Sequence, residues 1–284
     1  FSANLIMADD EVLPRETISD PSTGYTLLVS LPKNYVSSTD TYDVLFVLDS
    51  TSSWELVASA ALACHDAVQD KDGRQWHPEL IVVGIQDFSI PAKVRSDPQA
   101  MCTLVTQMAI PAIGMRYRTK PYAAARALCG IAGPARDTVL GVLAAEQHAL
   151  SKAFRFFLVG SAGDTEGEAK EEGELPEKIQ IFLSAASGPP SEPAARALES
   201  VLAKRTANIK TGTTMFVNRD GEQTYSEHEQ NLGAPVTLDL IEGPHDTPAA
   251  LEQFATRSMT WLCERMERQK LVSLGTLLPW HEFK

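Results

Sequence analysis

The segment from Ala127 to Leu150, ALCGIAGPARDTVLGVLAAEQHAL, constrains the fold more than any other stretch. It opens on an apolar run, Ala127-Leu128-Cys129, and must turn within Gly130-Ile131-Ala132-Gly133-Pro134. Beyond the turn, Val139, Val142, Leu143 and Leu150 recur at helical spacing and make one apolar stripe. Pro134 suits the first helical turn, where the N–H it lacks would have had no partner. The segment therefore reads as strand, tight turn and helix.

The rest of the chain supplies neighbours for that strand. Tyr25–Leu31 is a β-rich run ending at Pro32. Continuous apolar runs follow at Tyr42–Leu48 (YDVLFVL), Leu80–Ile85 (LIVVGI), Phe154–Val159 (FRFFLV), Lys178–Ser184 (KIQIFLS) and Val236–Ile241 (VTLDLI). Runs without polar alternation mark strands covered on both faces, as in a parallel sheet. Helical patterns lie between them, from Trp54 to Val68, from Met101 to Ile113, around Leu198, Val201 and Leu202, and after Thr247-Pro248. The last of these carries the stripe Leu251, Phe254, Ala255, Ser258, Leu262 and Met266. Strands alternating with helices predict an α/β fold, a mostly parallel central sheet with helices on both faces. No repeat or linker divides the chain, so we expect an N-terminal arm over 1–20, one domain over 21–268 and a C-terminal tail over 269–284.

Composition removes several classes of function. A net charge of −12 disfavours nucleic acid and anionic membrane as partners. No apolar run is long enough to span a bilayer, so a soluble protein is expected. The four cysteines, Cys64, Cys102, Cys129 and Cys263, form no CxxC pair and read as buried thiols. His65, His77, His148, His228 and His281 show no ligand spacing, so neither a metal nor any other cofactor is expected. Gly160-Ser161-Ala162-Gly163 lacks the lysine and length of a phosphate loop. The acidic run from Asp164 to Glu177 reads as a solvated excursion. Phe1 in place of Met leaves open a processed precursor, including one delivered to an organelle.

Taken in order, these segments resemble the esterase family of the α/β-hydrolase superfamily that includes enterochelin and siderophore esterases, S-formylglutathione hydrolase and feruloyl esterases. The resemblance spans roughly residues 20–265. It is carried by YTLLVSLPKNY, by YDVLFVLDS where the family has a strand ending in Leu-Asp-Gly, and by LIVVGIQD and IPAIGMRYRT. ALCGIAGPA stands at the nucleophile elbow, normally G-x-S-x-G, and FRFFLVGSAGD and IEGPHD follow at the family's later strand ends. The resemblance implies an α/β-hydrolase fold. It also places Ala132 at the nucleophile position, His245 at the general base and Ser50 and Gly133 at the oxyanion-hole positions. Glu192 is the candidate for the orienting carboxylate, although a cap on the helix that begins beside it is the preferred reading.

The departures bear on chemistry. A serine esterase needs a hydroxyl at the elbow, a histidine to take its proton and a carboxylate to orient that histidine. Ala132 offers a methyl group, which no base can make nucleophilic. Pro134 replaces the last elbow glycine, and Ser50 replaces the glycine after Leu-Asp. Cys129 lies on the strand and reads as core, and Ser161 matches a structural serine of the family. The expectation is a catalytically inactive esterase-like domain used for binding or as a scaffold, as an accessory subunit of a larger complex. Leu277, Trp280 and Phe283 in the tail suit a protein partner, and a vestigial pocket suits a small ester or acid. The alternative is a carboxylic ester hydrolase whose serine has been substituted at Ala132, with His245 as base.

Overall fold

The computed structural model describes residues 15–19, 25–48, 51–67, 79–86, 94, 97–144, 153–162, 179–206, 213–217, 223–227, 236–242 and 247–275. The strands are β1 Arg15–Ser19, β2 Thr26–Ser30, β3 Asp43–Val47, β4 Leu80–Ile85, β5 Arg126–Gly130, β6 Phe156–Val159, β7 Gln180–Ala186, β8 Thr213–Val217, β9 Gln223–Glu227 and β10 Val236–Ile241. The helices are α1 Thr51–Ala67, α2 Pro98–Leu104, α3 Ile110–Arg116, α4 Gly133–Ala144, α5 Ser191–Thr206 and α6 Pro248–Gly275.

Eight strands form one sheet in the order β1-β2-β4-β3-β5-β6-β7-β10. From β4 to β10 every pairing is parallel, whereas β2 pairs antiparallel with both β1 and β4. This is the mostly parallel sheet of the α/β-hydrolase fold. The apolar runs explain it, because alternate residues of each strand enter different cores. Val44 and Phe46 of β3 join the cluster beneath α2, α3, α4 and α5. Leu45 and Val47 of the same strand join the cluster beneath α1 and α6, with Trp54, Phe254, Met259 and Leu262.

Local chemistry sets several boundaries. Asp97 caps α2 by accepting the Gln99 N–H at 2.9 Å, and Pro98 occupies the first turn. A π-helical turn, Val105–Ala109, joins α2 to α3. Pro111 follows it and has no N–H to give to the preceding turn, a common reason for such a bulge. Gly84 lets α1 approach β4, since a Cβ there would lie 2.3 Å from Trp54 Cδ1.

Three elements depart from expectation. Residues 15–19, read as part of an arm, are the edge strand β1, whose Ile18 is buried. Tyr117 holds that strand by donating its hydroxyl hydrogen to Glu16 Oε2 at 2.6 Å. Residues 269–275, read as the start of the tail, continue α6. The antiparallel hairpin β8–β9 forms a separate two-stranded sheet that the sequence reading did not assign. At the opposite edge of the main sheet, Arg257 of α6 donates to Asp239 Oδ1 at 3.0 Å and to the Leu240 carbonyl of β10 at 3.3 Å. Among the described residues, no helix is long and apolar enough to cross a membrane.

Candidate functional site

In an open parallel sheet, ligands bind beyond the carboxyl ends of the strands. Here that edge gathers the ends of β3, β5, β6, β7 and β10 and the first turns of the helices that follow. The β5–α4 turn is its centre. β5 ends at Gly130 and α4 begins at Gly133, so Ile131 and Ala132 alone make the link. Ile131 is buried, and Ala132 is exposed, presenting only a methyl group at the sheet edge.

The glycines of this turn divide its two requirements. Gly130 provides close approach: a Cβ there would lie 2.4 Å from the Ala135 carbonyl oxygen and 2.9 Å from Val139 Cγ2. Gly133 provides the backbone conformation, with φ +50° and open space where a Cβ would stand. Pro134 is exposed, so losing the last elbow glycine costs no contact between helix and strand. Ala132 is not among the residues with positive φ. The left-handed step falls one position later, on a residue that adopts it without strain.

The end of β6 is wedged against this turn. Gly160 donates its N–H to the Gly130 carbonyl at 2.9 Å, and a Cβ on Gly160 would lie 2.6 Å from the Ile131 carbonyl oxygen. Ser161 follows with φ +47°, the one non-glycine residue with positive φ among those described, and it is buried. Arg136, buried one turn into α4, donates Nη1 to the Ser161 carbonyl at 3.3 Å and Nε to Asp137 Oδ1 at 2.9 Å. Ser161 thus sits in a buttressed corner beside the turn. Cys129 is fully buried on β5 and does not reach the edge.

Glu192 lies in the first turn of α5, beyond β7. Its Oε2 accepts the Gly188 N–H at 2.9 Å while its own N–H reaches the Gly188 carbonyl at 3.0 Å. This reciprocal pair works as a capping box does. Its Oε1 accepts from Arg196 Nε at 3.0 Å and Nη2 at 2.8 Å. The Gly188 hydrogen bond, and then Arg196, hold this carboxyl below the usual glutamate value. Both oxygens are thereby engaged on the helix itself.

His245 and Ser50 lie outside the described residues, as do the acidic run and the tail residues Leu277, Trp280 and Phe283. The structure therefore brings Ala132, Gly133 and Glu192 to one edge of the sheet without bearing on the other two positions. Among the described residues, no three His, Cys, Asp or Glu side chains converge as metal ligands. The corner formed by Gly160 and Ser161 was not legible as part of the site. Its signal was the pair of small residues directly after an apolar run, one of them a serine where glycine is the usual choice.

No family model matches the sequence, and no curated protein matches it. Solved structures do match the fold. The BES protein from Bacillus cereus superposes with a TM-score of 0.60 at 13% identity, over 93% of this chain and 99% of that one. The siderophore hydrolase EstB from Aspergillus nidulans gives 0.54 at 11% identity, over 92% and 98%. An IroE-like serine hydrolase from Shewanella oneidensis gives 0.53 at 14% identity, over 89% and 79%. At such identities the likeness establishes the fold, and the neighbours that share it include hydrolases and esterases.

Proposed function

We propose that this chain is an esterase fold without esterase chemistry, a catalytically silent domain that serves as a binding or scaffold subunit of a larger complex. One observation carries the reading: the residue exposed at the β5–α4 turn is Ala132, a methyl where acyl transfer needs a hydroxyl. Two further features support it. The left-handed step of the turn rests on Gly133, so position 132 is not held in the strained conformation that presents a nucleophile. Glu192, the candidate for the orienting carboxylate, is engaged by the Gly188 N–H and Arg196. A fold persists when its site is lost, because function resides in the site.

A fluorophosphonate probe, which labels activated serines, is expected to leave the protein unmodified; stoichiometric labelling overturns the reading. Ala132→Ser tests the second reading, an ester hydrolase with a substituted nucleophile. We expect no gain in hydrolysis of short p-nitrophenyl or thiol esters, because the serine would enter a turn whose strained position lies elsewhere. A gain of about 10⁴-fold or more over the parent chain, the scale on which a triad member acts, would establish the second reading instead. The scaffold role itself predicts that the native protein purifies in a stable assembly larger than its own 30.9 kDa.

A further inference from the structure

The helix α6 is longer than the sheet it covers. Arg257 meets Asp239 at 3.0 Å, and Trp261 Nε1 donates to Thr237 Oγ1 at 3.2 Å, so four helical residues advance as far as two of β10. Arg265 Nη1 then donates to Oε1 of Gln180, the first residue of β7, at 3.2 Å. At that level the helix has reached the amino end of the sheet. It has also drawn level with the end of α1, since Cys64 Sγ lies 3.5 Å from Thr260 Oγ1 and α1 ends three residues later at Ala67. α6 nevertheless continues to Gly275, ten residues and about 15 Å beyond Arg265.

The sequence changes phase at the same place. The stripe that covers the sheet runs through Phe254, Ser258, Leu262 and Met266, all buried. In helical register it continues with Gln269 and Ser273, both polar. A helix that carried its own core past the sheet would keep this stripe apolar. The leucines of the projecting part, Leu271 and Leu274, fall instead at i+7 and i+10 from Glu264, with Glu267 at i+3. These four positions form a second stripe, about half a turn round the helix from the first. Glu264, at its head, is exposed. Two acids followed by two leucines at this spacing suit a helix that lies on the surface of another protein.

A surface of complementary character stands at the same end of the molecule. Val36, Met115 and Tyr122 are the large hydrophobic residues exposed among those described, at 87%, 82% and 53%. One knot of contacts gathers their three segments at the amino ends of β3 and β5. The Tyr35 ring lies 5.2 Å from that of Tyr42 and 6.1 Å from that of Tyr117, and the Arg118 N–H donates to Tyr35 Oη at 3.0 Å. The Lys120 N–H donates to the Tyr42 carbonyl at 3.0 Å, just before β3 begins. Residues 110–126 also hold four cations, Arg116, Arg118, Lys120 and Arg126, and no Asp or Glu, in a chain of net charge −12. Lys120 is paired with Asp43, whereas Arg116 is exposed beside Met115.

We propose that a second copy of this chain docks at this end. The projecting stripe of α6 in one copy lies on the Val36, Met115 and Tyr122 surface of the other, with Glu264 and Glu267 set against Arg116. Acid then meets base and apolar meets apolar. Both elements lie at the amino end of the sheet, so a two-fold axis lets each copy give its helix and receive the other's, which doubles the contact. The inference rests on the subunit role proposed above, for which it supplies a partner, and it does not involve the elbow.

The test is sedimentation equilibrium of the full chain over about 1–100 µM. We expect a reversible dimer of twice 30.9 kDa. Met115→Glu, Arg116→Glu and Glu264→Lys, all at exposed positions, should each weaken it about tenfold. Arg116→Glu combined with Glu264→Lys restores the charge pair in reverse and should return the affinity to within about threefold of the parent. A chain that stays monomeric throughout the range, which needs no variant to fold, overturns the proposal. A dimer whose affinity none of the three variants changes overturns it equally. A double variant that binds no better than either single one overturns the placement of Arg116 against Glu264. A monomer recovered from its native source within a larger assembly overturns this contact alone and leaves the subunit role standing.

Discussion

At the scale of single residues, the β5–α4 turn separates two uses of glycine that its sequence does not distinguish. Gly130 is required by its surroundings and Gly133 by its own backbone. Gly130→Ala drives a methyl against the Ala135 carbonyl at 2.4 Å and should cost about 3 kcal/mol of stability. Gly133→Ala meets nothing within 4 Å and should lose only the left-handed preference, about 1–2 kcal/mol. Urea unfolding of the two variants checks that order; equal losses would mean that the contact with the Ala135 carbonyl relaxes and packing does not set the order. The place of Ala132 at the turn was legible, because Gly130, Gly133 and Pro134 punctuate the chain on either side of it. Which residue takes the positive φ was not legible. That depends on how α4 seats against β5, a contact no local pattern encodes.

At the scale of elements, the buried parallel strands were the most readable part of the chain. Val236–Ile241 and Leu80–Ile85 occupy the bounds their apolar runs predict. β1 was missed because RETIS contains a single aliphatic residue, Ile18, enough for an edge strand covered on one face. β9 was missed for a related reason, since QTYSE has no aliphatic side chain at all. α2 shows how an element's own cap alters its chemistry. Burial, and after it the negative charge of the capping Asp97, push the Cys102 thiol up from 9.0 to about 11. The folded state thus holds this proton more tightly than the unfolded chain does. Its contribution to stability is complete below pH 9.0 and is lost as pH rises toward about 11. Cys102→Ala should flatten that part of the alkaline limb in a series of thermal melts. An unchanged slope would place the alkaline loss elsewhere.

At the scale of the whole molecule, one sheet divides two cores and also joins them. Phe157 is buried on the face beneath α4, and Phe254 of α6 is buried on the other. Phe157→Ala and Phe254→Ala should each cost about 3–5 kcal/mol. Both losses should appear in one cooperative transition, because every strand from β3 to β7 feeds both cores. Two resolved transitions in a calorimetric scan would show that the faces unfold independently. Among the described strands the same sheet ends at β10, which has a neighbour on one side only and is therefore a template on which a further strand could pair. Arg257 rests on that rim, its Nη1 shared between the aspartate and the peptide oxygen beside it. A strand arriving from another molecule would have to displace Arg257 before it could take that oxygen for its own ladder.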